Sequence, residues 1–402
     1  MAGKTILMLL TNAYGPDPRV RQEAISLIGM GCRIRLLAWD RDLKAPTSER
    51  MEGIDVERVF VASTHGRGAT QAFFYVRLYW KMFWRGIRIR FDAVHCHDLD
   101  TLPLGFVLTR LRRKPIVYDA HESFPDMLAG SVPSLVRRGL VLIENYLIRR
   151  VTLLITVGEK LRRHFVERGA PRAIVVGNWK RLADFSRTPQ QIQEVRRRLG
   201  VPDGALAVVC VTQLNEDRKI EELLRAADES PDVYVILAGS GVMEERIARA
   251  AAANPRIVFA GFVSGRVIGD YTCAADVIYY GFDPDNPNAL ISAPNKLFEA
   301  LAAGRPLITG SFGEIGEVVR NAQCGIVLPH YSAAEIKKAF RILADPELRS
   351  RMAQNAAEMG RGSLNWDKAE EILYREYSAL LPGLTEPGRE TGANLAQAAV
   401  GQ

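Results

Sequence analysis

Two charged residues three positions apart stand out in 292–308, which has the sequence S-A-P-N-K-L-F-E-A-L-A-A-G-R-P-L-I. The pattern predicts a helix that begins at Asn295, after a proline, and ends at Gly304. Lys296 and Glu299 would lie on one face of this helix near its positive end, where an anion and a polyol could bind together. A solvated i,i+3 ion pair explains the same residues equally well, so the spacing alone leaves both interpretations open.

Histidines follow two predicted strands. His97 ends the apolar run 91–97, and His121 ends the run 115–121. An imidazole at a strand end can donate to a ligand oxygen or transfer a proton, and His121 is the preferred candidate. A purely structural histidine is the alternative, and it is the preferred interpretation for His95, which lies inside its strand.

The loop after the first strand contains Gly15 and Arg19. The glycine permits close backbone approach, and the arginine could meet a phosphate. A turn followed by the start of a helix explains both residues equally well.

Short polar or glycine-containing turns follow three strands in the second half of the chain. Because the carboxyl ends of parallel strands meet at one edge of a sheet, we expect these turns to form a nucleotide-diphosphate site beside Lys296 and Glu299. The sequence has no Walker A motif and no complete G-x-G-x-x-G, which argues against an ATPase or an NAD dehydrogenase. The residues of these turns are Gln213, Arg218, Lys219, Gly239, Gly241, Gly261 and Val263.

The elements that must position these residues are two series of alternating strands and helices. The first series has strands near 6–10, 33–39, 55–61, 91–97, 115–121, 151–157 and 173–178, and the second has strands near 207–212, 233–239, 256–261, 276–280, 306–309 and 325–328. We therefore predict an α/β protein of two Rossmann-like domains that face each other across a cleft. The first predicted domain is 1–180, and a helix at about 365–381 is expected to pack back on it. The second predicted domain is 200–364, and a disordered tail is expected at 382–402.

Composition indicates a globular cytoplasmic enzyme. The chain has 402 residues, of which 48% are hydrophobic and 25% charged. No apolar run reaches the roughly 18 residues of a membrane span, and we expect no leader segment. The five cysteines are scattered and lack metal-binding spacing, so we expect buried thiols and no zinc.

The net charge of +7 is unevenly distributed. Residues 1–180 contain 29 Lys and Arg against 17 Asp and Glu, whereas residues 181–402 contain 24 against 29. The first half should therefore attract anions. It contains no recognised nucleic-acid-binding module, so we expect no nucleic-acid partner.

The segment 73–90, F-F-Y-V-R-L-Y-W-K-M-F-W-R-G-I-R-I-R, is rich in both aromatic and basic residues. At a helical period its basic residues fall on one stripe and its aromatic residues on the other faces. This pattern is typical of a helix at an anionic membrane surface, where it would meet a lipid or lipid-diphosphate acceptor. A core helix with one solvated basic face is the alternative. The stripe consists of Arg77, Lys81, Arg85 and Arg88.

Together these motifs resemble the GT-B glycosyltransferases, specifically the retaining family four, over about 5–380. The loop G-P-D-P-R-V resembles the first glycine loop of the family, with its common Gly-Gly pair reduced to Gly15. V-Y-D-A-H-E resembles the strand that carries the active-site histidine, which would be His121. V-T-Q-L-N-E-D-R-K-I-E-E-L-L is similar to the diphosphate-binding segment G-R-L-x-x-x-K-G, with Gln213 in place of the arginine and Arg218 or Lys219 in place of the lysine.

P-N-K-L-F-E resembles the second half of the family's E-x7-E motif, in which Glu299 would hold the ribose hydroxyls. The first glutamate, which contacts the transferred sugar, would fall at Ile291. A subset of the family with P-N-K-L-F-E also lacks it. The candidate substitutes are Ser292, Asn288, Asn286 and Asp285.

The resemblance implies a retaining transferase that uses a UDP- or GDP-sugar donor and a glycan or lipid-linked acceptor. The catalytic residues would be His121, Glu299, Arg218 and Lys296. Lys219 and helix N-termini would help to neutralise the diphosphate without a metal, since the one candidate metal motif, D-P-D at 283–285, fits a turn better.

Two other functions remain open at this point: a GT-B nucleotide-sugar epimerase, and a catalytically silent subunit that binds a nucleotide sugar. The silent subunit remains an alternative because Ile291 and Gln213 stand where the family has a glutamate and an arginine. The expected location is the cytoplasm, peripheral on the cytoplasmic face of the membrane.

Overall fold

The computed structural model describes residues 3–15, 17–62, 68–128 and 132–384. The chain divides into two compact units, Met1–Val176 with Glu370–Gln402, and Gly177–Ala369. The sequence placed these divisions near 180, 200 and 364. The tail predicted to be disordered lies, from 385 onward, outside the described residues.

The strands of the first unit are β1 (Thr5–Leu10), β2 (Arg33–Asp40), β3 (Ser48–Met51), β4 (Ile54–Phe60), β5 (Ala93–His97), β6 (Ile116–Ala120), β7 (Leu153–Thr156) and β8 (Ala173–Val175). They form one sheet in the order β3-β4-β2-β1-β5-β6-β7-β8. β3 is antiparallel to β4, and the other neighbours are parallel. In the centre of the sheet Met8 lies between Leu36 and His95.

The strands of the second unit are β9 (Leu206–Val211), β10 (Val233–Ala238), β11 (Ile257–Phe259), β12 (Val277–Tyr279), β13 (Leu307–Gly310) and β14 (Gly325–Leu328). They form a parallel sheet in the order β11-β10-β9-β12-β13-β14. Both units are therefore α/β domains built on parallel sheets, which confirms the predicted fold class.

Fifteen helices are present in the described residues. Those up to residue 176 are α1 (Pro18–Gly29), α2 (Gly68–Gly86), α3 (Leu102–Arg112), α4 (Phe124–Met127), α5 (Ser134–Ile148) and α6 (Glu159–Glu167). Those that follow are α7 (Pro189–Arg198), α8 (Ile220–Asp228), α9 (Glu244–Ala253), α10 (Ile268–Ala274), α11 (Asn295–Ala303), α12 (Gly313–Asn321), α13 (Ala333–Ala344), α14 (Pro346–Gly362) and α15 (Trp366–Leu380).

The apolar strands predicted from the sequence form because helices cover both faces of each sheet. β1 and β9 are buried along their whole length, which explains why they are continuous apolar runs without alternation. α15 returns to the first unit from Glu370 onward, where Glu370 Oε1 accepts a hydrogen bond from Ser26 at 2.7 Å.

One strand was not predicted. β3 has the sequence S-E-R-M and is half-buried or exposed throughout. Its stability comes from backbone pairing with β4 at the edge of the sheet, so it carries no apolar pattern that the sequence could reveal.

Helix α2 covers most of the segment 73–90 and ends at Gly86. Two cations of the basic stripe that was predicted to meet a membrane surface are bonded to the protein. Lys81 Nζ donates to the carbonyl of Phe60 at 2.9 Å, and Arg85 donates to the carbonyl of Arg58 at 2.8 Å. These two cations are held against the end of β4 because its last carbonyls need donors. No helix in the described ranges is long and apolar enough to cross a membrane.

Candidate active site

Helix α11 holds Lys296 and Glu299 together and buries them. Lys296 Nζ donates to Glu299 Oε2 at 2.5 Å, and only 14% of the lysine side chain and 6% of the glutamate side chain are exposed. A solvated pair would leave both side chains in water, so that alternative is wrong. No side chain caps the start of α11, which leaves its first N–H groups available to an anion.

Lys180 joins this pair, although the sequence analysis did not identify it as a site residue. Its Nζ donates to Asn295 Oδ1 at 2.6 Å and lies 3.9 Å from Glu299 Oε1. Its backbone is fixed by Trp366, whose N–H donates to the Lys180 carbonyl at 3.0 Å. Lys180 lies 115 residues before Asn295, and no local pattern could have revealed this contact.

The two lysines determine the ionisation of Glu299. Burial alone would raise the pKa of this carboxyl, but Lys296 and Lys180 outweigh it and hold the pKa below its ordinary value. Glu299 is therefore a carboxylate at neutral pH. A buried carboxylate accepts hydrogen bonds from hydroxyl groups, as the hydroxyls of a ribose would require.

Arg218 lies on the aromatic residues that follow β12. Its guanidinium carbon is 4.3 Å from the centre of the Phe282 ring, and Nη1 donates to Tyr280 Oη at 3.0 Å. Its Nε is buried without a hydrogen-bond partner in the described chain. Arg218 and Lys296 also both influence Cys210: burial raises the pKa of this thiol to about 12, and the two cations partly oppose the rise.

Lys219 is less available than the sequence suggested. Its Nζ pairs with Asp283 Oδ2 at 2.9 Å, so its charge is already balanced by the first aspartate of D-P-D. Lys219 also has a left-handed backbone, with φ 52°, and its carbonyl accepts from Tyr279 Oη at 3.0 Å. A positive φ in a residue other than glycine is a strain that functional loops commonly carry.

The glycine turns lie together at one edge of the second sheet. Gly239 N–H donates to the Gly261 carbonyl at 2.8 Å, and Leu214 N–H donates to the Ser240 carbonyl at 2.9 Å. Gly241 has φ 157°, and a Cβ there would lie 2.5 Å from the Leu214 carbonyl oxygen. Gly239 and Gly241 are required because the turns after β9 and β10 cross at backbone distance, whereas Gly261 is favoured by its left-handed φ of 66°.

The remaining predicted contacts of the second unit lie on the loops after β9 and β11 and on the loop between β12 and α11. Gln213 is exposed and Val263 half-buried at the ends of β9 and β11. Ile291 is half-buried at the end of a 3-10 turn. The Asn286 side chain caps the start of this turn by accepting a hydrogen bond from the N–H of Asn288. Among the candidate substitutes for the missing glutamate, Asn288 is buried, Ser292 half-buried and Asp285 exposed.

In the first unit His121 lies between two aspartates. Its Nε2 is 2.8 Å from Asp119 Oδ2, and its Nδ1 is 3.2 Å from Asp98 Oδ2. Asp98, which has φ 64°, also accepts the backbone N–H of His121. Both ring nitrogens therefore face carboxylates, although 22% of the side chain is exposed.

Arg19 has a different role from the predicted phosphate contact. Its Nε and Nη2 donate to Asp119 at 2.9 and 2.6 Å, and its Nη1 donates to the Val176 carbonyl at 2.8 Å. Only 8% of Arg19 is exposed. The guanidinium pairs with this buried aspartate because an unpaired carboxylate at that position would destabilise the folded protein. Gly15, four residues earlier, has open space where a Cβ would stand.

The ionisation of this cluster follows from its contacts. Burial opposes charge on both His121 and Asp119, but the aspartates raise the pKa of His121 well above its ordinary value. Arg19 and His121 hold the pKa of Asp119 well below the ordinary value of an aspartate. His121 is therefore an imidazolium at neutral pH. Burial raises the pKa of the neighbouring Glu23 to about 8.

Four side chains beneath His121 have donor atoms within 4.8 Å of one another, the spacing of a metal site. The guanidinium of Arg19, however, lies 2.6 Å from one of their carboxylates and 3.1 Å from the other. It already supplies the positive charge that a cation would bring, so these residues do not fit a metal. They are Glu23, His95, His97 and Asp119.

Two family models match the chain in succession. The glycosyl transferase 4-like domain matches residues 14–179, and glycosyl transferases group 1 matches residues 191–359. An uncharacterized glycosyltransferase of Methanocaldococcus jannaschii is 26% identical over 373 residues, which cover 88% of this chain and 91% of that protein.

Solved structures share the fold at low sequence identity. Sucrose-phosphate synthase from Thermosynechococcus elongatus has a TM-score of 0.77 at 17% identity, with 94% of this chain and 99% of that one covered. Anabaena HepE in complex with UDP-glucose has a TM-score of 0.71 at 17% identity, with 93% and 99% covered. These likenesses establish the fold.

Proposed function

The chain belongs to the GT-B glycosyltransferases of group 1, and from this premise we propose that it transfers a sugar from a UDP- or GDP-sugar to a lipid-linked or other glycan-precursor acceptor. The observation that carries the proposal is Glu299, a buried carboxylate kept ionised by Lys296 and Lys180 at the open start of α11. A site with one fixed anion and adjacent cations suits a nucleoside diphosphate, whose ribose donates hydrogen bonds and whose phosphates are negative.

The second unit binds the donor in this proposal. The reaction breaks the bond between the anomeric carbon and a diphosphate oxygen, so negative charge grows on the leaving group. Lys296 and Arg218 stabilise that charge. The turns at Gly239, Gly241 and Gly261 follow the carboxyl ends of β10 and β11, where ligands of parallel sheets bind. The acceptor hydroxyl oxygen forms the new bond with retention of configuration, and its proton leaves with the diphosphate. No metal is required because the cations come from the chain.

The first unit holds the acceptor in this proposal, and His121 acts there as a cation. With its pKa raised by Asp98 and Asp119, the ring is already protonated at neutral pH and cannot accept another proton. Both of its ring N–H groups are engaged by these aspartates, so it contributes positive charge near an anionic or hydroxyl-bearing ligand and does not donate to it. The excess of basic residues in 1–180 supports an anionic, membrane-bound acceptor, with the protein peripheral on the cytoplasmic face.

A catalytically silent subunit is the second candidate, favoured by Ile291 at the place of the first glutamate and by Gln213 at the place of an arginine. Transfer or donor hydrolysis by the purified chain alone would exclude it. An epimerase would instead convert the nucleotide sugar without any acceptor, which product analysis distinguishes.

The test is a thermal-shift and calorimetric screen of UDP, GDP and their sugars. A ligand at about 100 times its Kd stabilises the protein by about 2.7 kcal/mol, so the cognate nucleotide should raise the melting temperature clearly. Absence of a shift with every nucleoside diphosphate would refute the proposal.

A further inference from the structure

Three neighbouring helices of the first unit expose large apolar side chains on their outer surfaces. Between 52% and 78% of each side chain is accessible to solvent. Apolar patches of this extent are uncommon on monomeric proteins and mark interaction surfaces. The residues are Val76 and Trp80 on α2, Leu111 on α3, and Leu135, Leu142 and Tyr146 on α5.

These helices form one layer. The connections β4 to β5, β5 to β6 and β6 to β7 all step in the same direction across the sheet, so right-handed crossovers place α2, α3 and α5 on the same face. The ring of Phe106 on α3 lies 6.2 Å from that of Tyr146 on α5. A Cβ at Gly86, where α2 ends, would lie 2.8 Å from Leu108 of α3. The exposed apolar residues therefore belong to neighbouring helices on one face of the sheet.

The outward residues are distinct from those that hold the helices to the sheet. α2 buries Leu78 and Met82 almost completely, whereas 64% of Trp80 and 44% of Trp84 are exposed. The rings of these two tryptophans contact each other at 5.5 Å. On α5, Leu135, Leu142 and Tyr146 recur at helical spacing on the outer side. The exposed apolar stripes are therefore additional to the core.

The charge of this surface is of one sign. The sequences of α2 and α3 contain no acidic residue, and α5 contains only Glu144, which is fully buried and lies 2.6 Å from Arg168. Arg77, Arg88 and Arg138 are exposed on or beside the helices. A second copy of the chain would bring like charges together, whereas an anionic bilayer complements both the charge and the apolar side chains.

We propose that α2, α3 and α5 form a docking surface that lies in the headgroup layer of an anionic bilayer. Trp80, Trp84, Leu135 and Leu142 enter the acyl boundary, and the exposed arginines meet the lipid phosphates. The inference deepens the proposed function, since it rests on an acceptor presented at a membrane. It also changes which residues are expected to contribute most to membrane binding. Lys81 and Arg85 are bonded to carbonyls of β4, so the exposed apolar residues should contribute more to binding than the predicted basic stripe.

The test is sedimentation of the full chain with vesicles of phosphatidylglycerol and phosphatidylcholine. Trp80→Gln with Trp84→Gln should weaken binding about tenfold, because two large apolar side chains no longer enter the membrane. Adding Leu135→Gln and Leu142→Gln should bring the loss to about 100-fold. The matched control is Val242→Gln with Phe262→Gln: these residues are 79% and 76% exposed in the second unit, and binding should not change.

Tryptophan fluorescence gives a second readout. The other three tryptophans, at positions 39, 179 and 366, are no more than 7% exposed, so phosphatidylglycerol with brominated acyl chains should quench Trp80 and Trp84 selectively. Each variant should keep a melting temperature close to that of the parent, since none of the replaced side chains belongs to the buried core.

The proposal is overturned if the parent stays in the supernatant with anionic vesicles at low salt, or if the control variant loses binding equally. It is also overturned if the parent is a dimer in light scattering and the Trp80/Trp84 variant is a monomer, which would assign the surface to a second copy. Binding of UDP and GDP, measured in parallel without vesicles, separates this outcome from failure of the proposed function.

Discussion

Replacing Glu299 with glutamine tests the site because it removes the charge and keeps the size of the side chain. In the structure the carboxylate accepts from Lys296 at 2.5 Å with 14% of the lysine side chain exposed. Loss of a hydrogen bond between charged groups costs about 1.5–3 kcal/mol. For a domain of this size, about 1 kcal/mol shifts the melting temperature by about 2–4 °C, so Glu299→Gln should lower it by about 3–12 °C.

Donor affinity should fall as well. A carboxylate that accepts from ribose hydroxyls contributes about 1–3 kcal/mol to binding, so the Kd for the cognate nucleotide should rise about 5- to 140-fold in Glu299→Gln. Isothermal titration calorimetry with UDP and GDP measures this. The control is Glu245→Gln: 92% of that side chain is exposed on α9, and neither the melting temperature nor the affinity should change.

The pH dependence gives a second check on the same variant. The folded-state pKa of Glu299 lies below its ordinary value of 4.5, so the stability from the pair is fully present above about pH 4.5 and is lost as pH falls through the lower folded value. The difference in melting temperature between parent and variant should therefore be constant from about pH 8 to 5 and shrink in stronger acid. Equal melting temperatures at pH 7, or equal nucleotide affinity, would refute the reasoning.

Three further predictions concern the cations, the buried aspartate and His121. Lys296→Ala and Arg218→Ala should each lower kcat on the order of 100-fold, because charge on the diphosphate grows as the bond breaks; steady-state kinetics with an unchanged kcat and only a raised KM would contradict this. Asp119→Asn should destabilise the first unit by about 3–5 kcal/mol in urea unfolding, since it leaves Arg19 buried without its carboxylate. Because the folded pKa of His121 is raised, its contribution to stability is present below about pH 6.5 and is lost as pH rises through the folded value; His121→Gln should therefore differ most from the parent at low pH and least in alkali.

The sequence predicted the parallel strands of both units because most of them are apolar runs between polar turns and β4 alternates apolar and polar residues over much of its length. It did not predict β3, because S-E-R-M is held by backbone pairing with β4 and has no apolar face. In α2 the helical period predicted one stripe of basic residues, of which Arg77, Lys81 and Arg85 lie on the helix and Arg88 lies beyond its end. It gave no information on which side faces the sheet, and the structure shows Lys81 and Arg85 bonded to carbonyls of β4.

The partner of Arg19 could not be predicted from its local sequence motif. Beside Gly15 it fitted a phosphate contact, yet its partner is Asp119, 100 residues away. Nothing near Arg19 in the sequence distinguishes these roles, because both require the same guanidinium at the start of a helix. The catalytic and donor-binding assignments of Glu299, Lys296, Arg218 and His121 stay predictions.

What the sequence by itself determined is the order of the parallel strands and the helices between them, the division into two α/β units, and the local placement of Lys296 beside Glu299 on α11. These follow from short-range periodicity and turn residues. Only the tertiary structure decided the ionisation of the site. Glu299 is anionic because Lys180, from a distant segment, joins Lys296, and His121 is cationic because Asp98 and Asp119 enclose it. The charge of a buried group depends on desolvation and on neighbours that only folding brings within a few ångströms.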